Sequence, residues 1–126
     1  MSHRYLLAAL VAIGLAACAS AGHRTAIAGQ PVMLRPGEQL VLPDGATLRY
    51  QRVVADSRCP PDVQCIHAGD ADVAFEFLPA DGAPLSVTLN TARAPEAPIG
   101  GWQLRVLALE FGRQPRATVR LDPAGR

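Results

Sequence analysis

A chain of 126 residues that is 49% hydrophobic and 18% charged has the composition of a globular protein and not of a disordered polyelectrolyte. Its length suits one domain with a single core. The formal charge is +1, so no basic field exists to attract nucleic acid or an anionic surface, and no nucleic-acid partner is expected.

The first eighteen residues read MSHRYLLAALVAIGLAAC. His3 and Arg4 make a short polar start, and Tyr5 to Ala17 is apolar and uncharged. That run is shorter than the roughly 20 residues a membrane-spanning helix needs, so residues 1–17 read as a signal peptide. Its end, Leu15-Ala16-Ala17-Cys18, resembles the lipobox of bacterial lipoproteins. The resemblance implies cleavage before Cys18 and lipidation of the Cys18 sulfur, which is nucleophilic as a thiolate. Several acyl chains then give a stable membrane anchor. Ala19 resembles the signal for the outer membrane, facing the periplasm if the cell is Gram-negative. Residues 18–30 have no clear period and read as the lipidated cysteine and a flexible tether.

From Pro31 the hydrophobic period is two. Val32 to Arg35 and Gln39 to Leu42 are short strands about Pro36-Gly37, a type II turn. Pro43-Asp44-Gly45 makes the next turn. Leu48 and Tyr50 open a strand that ends near Val54. Val73, Phe75 and Phe77 alternate with Asp72, Ala74 and Glu76, and Leu85, Val87 and Leu89 alternate with Ser86, Thr88 and Asn90. Residues 92–101, ARAPEAPIGG, are Pro- and Gly-rich and read as a mobile loop. Trp102 to Phe111 is a longer strand whose apolar face switches at Val106, which implies a β-bulge there or burial on both faces. Ala117, Val119 and Leu121 form the last strand. About seven strands and no capped helical pattern predict an all-β domain over residues 31–122, a small antiparallel sandwich or barrel, with a tail over 123–126.

The segment 53–77 reads VVADSRCPPDVQCIHAGDADVAFEF. With Cys18 lipidated, Cys59 and Cys65 are an even pair in a chain expected in an oxidising compartment, so a disulfide is expected. Asp56, Ser57, Arg58, Cys59, Pro60, Cys65, Ile66, Ala68 and Gly69 make this segment similar to one in a group of small, uncharacterised bacterial envelope proteins, many of them lipoproteins. Position 67 departs, with His where that group tends to have Trp. The resemblance supports export and the disulfide and carries no activity.

Cys59, Cys65 and His67 with Asp70 or Asp72 are metal-ligand types suited to Zn or Cu. The spacing is not C-x-x-C, and a disulfide removes both thiolates. Asp56, Asp62, Asp70 and Asp72 supply oxygens for Ca²⁺ without a calcium-loop motif. No cofactor is expected. Redox chemistry wants a reactive thiolate, whereas here five residues, two of them Pro, separate the cysteines. Ser57 lacks a nucleophile-elbow context. Asp56 and Arg58 read as a turn cap or an ion pair, His67 as a surface or half-buried side chain, and Trp102 as core. Without a clustered acid, base and nucleophile the chain does not read as an enzyme. Two classes of function fit. One is a membrane-anchored, non-catalytic envelope module that binds an unknown envelope protein, peptide or glycan, or serves structurally. The alternative is a periplasmic metal-binding or redox-linked lipoprotein.

Overall fold

The computed structural model describes residues 24–125. The leader, Cys18 and the first part of the tether lie outside them. Among the described residues there are nine strands and no helix: β1 (Arg24–Thr25), β2 (Val32–Leu34), β3 (Gln39–Val41), β4 (Thr47–Asp56), β5 (Ala71–Leu78), β6 (Leu85–Asn90), β7 (Glu96–Ile99), β8 (Trp102–Leu109) and β9 (Ala117–Pro123). They form two sheets, β1-β3-β4-β5-β6 and β2-β9-β8-β7. All pairings are antiparallel except that β1 runs parallel to β3. The period-two runs fold as expected, into a small β sandwich.

The core is made by the alternate side chains. Leu48, Tyr50, Val73, Phe75, Phe77 and Leu89 of the first sheet pack with Leu104, Val106, Val119 and Leu121 of the second, all buried. Tyr50 and Phe75 are tilted neighbours, 5.6 Å between ring centroids. The Tyr50 hydroxyl donates to the Pro115 carbonyl at 2.8 Å, so its polar end is satisfied inside the core. Trp102 is also core, with Nε1 donating to Asp44 Oδ2 at 3.0 Å.

The turns obey their residue chemistry. Glu38 N donates to Arg35 O at 3.0 Å with Gly37 at φ 88°, as a type II turn requires. Gly45 N donates to Leu42 O at 2.9 Å, and Asp44 Oδ1 accepts from Ala46 N at 3.0 Å. The phase switch in β8 is a bulge: the register with β9 shifts between Val106 and Ala108. β4 has two further shifts that the sequence did not announce, at Tyr50/Arg52 and Val53/Ala55.

Two expectations need correction. The segment 24–30 is not part of a free tether. Arg24 and Thr25 pair with Leu40 and Val41, Ala26 is buried, and Gly29 N donates to Leu121 O at 2.8 Å. It crosses from one sheet to the other. Nor is 92–101 a mobile loop. Asn90 Oδ1 accepts from Ala92 N and Arg93 N at 3.0 and 2.8 Å, and Glu96–Ile99 then pairs with β8. Pro98 is tolerated because β7 is an edge strand, where no ladder bond is lost on the outer side.

Candidate functional site: a clamped, disulfide-closed arm

β4 and β5 do not separate where the sheet ends. Ser57 N donates to Asp70 O at 2.8 Å and Cys59 N to Ala68 O at 3.0 Å, so the ladder continues as a two-stranded arm with residues 60–67 at its tip. Ser57 Oγ reinforces it, accepting from Asp70 N at 3.2 Å and lying 3.1 Å from Asp70 O. Gly69 sits opposite, at φ 67°, where a Cβ would overlap the Ser57 carbonyl. Only glycine fits that position.

The tip is closed covalently. The Cys59 and Cys65 sulfurs lie at disulfide-bonding distance, with Cα atoms 5.8 Å apart, inside the range a disulfide spans. Pro60 accepts from Val63 N at 3.2 Å within the ring. Ile66 is 95% exposed and Val63 55%. His67 is exposed beside them.

Arg58 ties the arm to the second sheet. Its Nε and Nη2 donate to the two Asp56 carboxylate oxygens at 2.9 and 2.8 Å, a bidentate pair, while Asp56 Oδ1 also accepts Arg58 N at 3.0 Å. Nη1 donates to the carbonyl of Leu109, the last residue of β8, and Nη2 to that of Glu110 just beyond it. The guanidinium carbon lies 4.1 Å from the Phe111 ring centroid, a cation–π contact. Only a planar, five-donor head serves all these partners at once. The Arg58 hydrogen bonds hold the Asp56 carboxyl below its ordinary 3.8. Glu110 is in turn paired with Arg116 at 2.7 Å, and that bond lowers the pKa of Glu110. Beside the root of the arm runs a shallow groove of about 370 Å³ bordered by Pro36, Arg52, Asp56, Arg113 and Pro115.

The residues weighed as metal ligands are held apart. Cys59 and Cys65 face each other, Asp56 is held by Arg58, Asp70 pairs with Arg93 at 2.9 Å, and Asp72 accepts from Asn90 Nδ2 at 2.8 Å. Among the described residues no three His, Cys, Asp or Glu side chains converge. Ser57 is engaged with Asp70 and not with a base. Cys18 lies outside the described residues. Leu109, Glu110 and Phe111 were missed as partners of the segment, because they lie some fifty residues downstream and two of them take part through backbone carbonyls. The lone hint was an exposed aromatic, Phe111, at the end of a strand that had changed face.

Fold and site together define an all-β sandwich with a disulfide-closed arm. Comparisons with protein-family models, curated proteins and solved structures find no match for the chain.

Proposed function

We propose that the protein is an exported lipoprotein, anchored through lipid on Cys18, whose domain is a non-catalytic binding module of the cell envelope. The arm tip is its contact surface, and an envelope protein, peptide or glycan is its partner. The observation that carries this reading is the exposure of Ile66 and Val63 on a loop held by a disulfide, a ladder and the Arg58 clamp. Branched apolar side chains gain nothing by facing water, and a pre-ordered loop binds with less entropic loss than a mobile one. The site is decided by shape and apolar contact, with Asp62 and His67 supplying polar groups at its rim.

The test is site-specific photo-crosslinking in growing cells, with a benzophenone side chain replacing Ile66 and, as control, Asp81. A discrete adduct from position 66 and none from 81 is expected. Absence of any adduct at 66 overturns the arm as the contact surface. The anchor is tested separately by Triton X-114 partition: Cys18→Ser should move from the detergent to the aqueous phase, and its retention in detergent refutes the lipid attachment.

A further inference from the structure

The sheet edges of this sandwich are not equally protected. β1 is two residues long and β2 three, and the side chain of Arg24 in β1 donates to Met33 O of β2 at 2.6 Å and to Glu38 at 3.2 Å. β7 carries Pro98 and Glu96. These are the usual devices against edge pairing: short strands, proline and charge. β6, Leu85–Asn90, is six residues long and has none of them.

Ladder parity identifies its free backbone groups. Thr91 N donates to Ala71 O at 2.9 Å, so with the observed register the odd-numbered residues of β6 bond to β5. Asn90 turns the other way and exchanges bonds of 2.9 and 3.3 Å with Ala94. Beyond that bridge β7 pairs with β8 and not with β6. Ser86 and Thr88 therefore direct N–H and C=O outward. Leu89 is buried on the core face, Val87 is half-buried, and Leu85 is 46% exposed.

The strand is also self-complementary. Leu85-Ser86-Val87-Thr88-Leu89 reads apolar, hydroxyl, Val, hydroxyl, apolar in either direction. We infer that β6 pairs antiparallel with β6 of a second copy about a two-fold axis through Val87, joining the two five-stranded sheets into one. Ser86 then faces Thr88 of the other copy, twice, satisfying the outward groups with about four ladder hydrogen bonds. Val87 meets Val87 in the close, non-hydrogen-bonded pair, and Leu85 meets Leu89. No charge is buried, and the interface is isologous, as a closed dimer requires. An extended peptide of another protein could use the same backbone groups, but it has no reason to match this side-chain order. The inference is independent of the arm-binding reading.

The test uses the purified full chain in detergent. Val87→Cys, oxidised with copper phenanthroline, should give a disulfide-linked dimer as the main species on a non-reducing gel. Leu85→Cys, about 14 Å from its own copy in this register, and Asp81→Cys should give only traces. A dimer yield for Val87→Cys no greater than for Asp81→Cys overturns the inference. In sedimentation, the unmodified chain should dimerise at concentrations on the order of 100 μM, and a monomer there overturns it as well. Thr88→Pro removes an outward N–H that β5 does not use, so the monomer should keep its fold while the dimer dissociation constant rises at least about tenfold. Val87→Lys, which sets two ammonium groups at the axis, should raise it similarly and serves where Thr88→Pro does not fold. An unchanged constant in the folded variant refutes the proposed seam.

Discussion

Arg58 is the residue on which the arm turns. It is the junction of a carboxylate, two carbonyls and an aromatic face, and its side chain is only 13% exposed. Arg58→Met should therefore lower unfolding free energy by about 2–3 kcal/mol, measured by urea titration, since it strands Asp56 and two carbonyls. The same pair sets a pH dependence. Asp56 has a folded pKa below its ordinary value, so the pair contributes fully above the unfolded pKa, near 3.9. That contribution is lost as pH falls through the lower folded value. Stability should hold from pH 7 to about 5 and decline below about pH 4, more shallowly in Arg58→Met. Asp44 and Glu110, also held low by hydrogen bonds, supply the part of the decline that remains. At Gly69 the constraint is steric. Gly69→Ala places a methyl on the Ser57 carbonyl and should cost more than about 2 kcal/mol, with rapid amide exchange at Ser57 and Cys59 as the local readout.

At the level of elements, the arm extends β4 and β5 outside the sandwich, where it has little core to lean on. Its order comes from three constraints: the ladder, the clamp and the disulfide. Replacing Cys59 and Cys65 together by Ala should lower stability by about 2–2.5 kcal/mol, the chain-entropy value for a seven-residue ring. This is a minor share of a typical 5–15 kcal/mol, so the variant should still fold and show strand-dominated circular dichroism. Proteolytic nicking within residues 60–67 should accelerate in the same variant, because the tip then keeps only its root. Alkylation without reductant checks the native state, and two carbamidomethyl groups on the segment would contradict the bridge.

For the whole molecule, the consequence is that chemistry-bearing side chains near one another in sequence are assigned to different structural tasks. The disulfide removes the soft ligands, and arginines or Asn90 hold Asp56, Asp70 and Asp72. Calorimetry on the oxidised, tag-free protein should therefore detect no Zn²⁺ or Cu²⁺ binding tighter than roughly micromolar. A nanomolar one-to-one isotherm that vanishes in His67→Ala would move metal handling ahead of the binding reading.

The β class, most strand positions, the turns at Pro36-Gly37 and Pro43-Asp44-Gly45 and the change of apolar face at Val106 are written in local order, because side-chain period and turn chemistry act between near neighbours. That the change of face is a bulge and not two-sided burial was decided by the pairing of β8 with β9. So is the pairing of Asp56 with Arg58, two residues apart, and so is the expectation of a bridge between Cys59 and Cys65. β1 and β7 were not legible. β7 is the near arm of a hairpin with β8 across Gly100-Gly101, but four residues with Pro98 among them show no apolar period of their own. β1 is two residues long and exists because β3, farther along the chain, offers it hydrogen bonds that its own residues do not advertise. The clamp was hidden for the same reason: Arg58 finds Leu109, Glu110 and Phe111 only after two sheets have stacked. Which edge stays open was likewise a tertiary outcome. The near-palindrome of Leu85–Leu89 is in the sequence, but that β6 ends a sheet, with Ser86 and Thr88 turned outward, follows from strand order and ladder parity, which only the folded chain fixes.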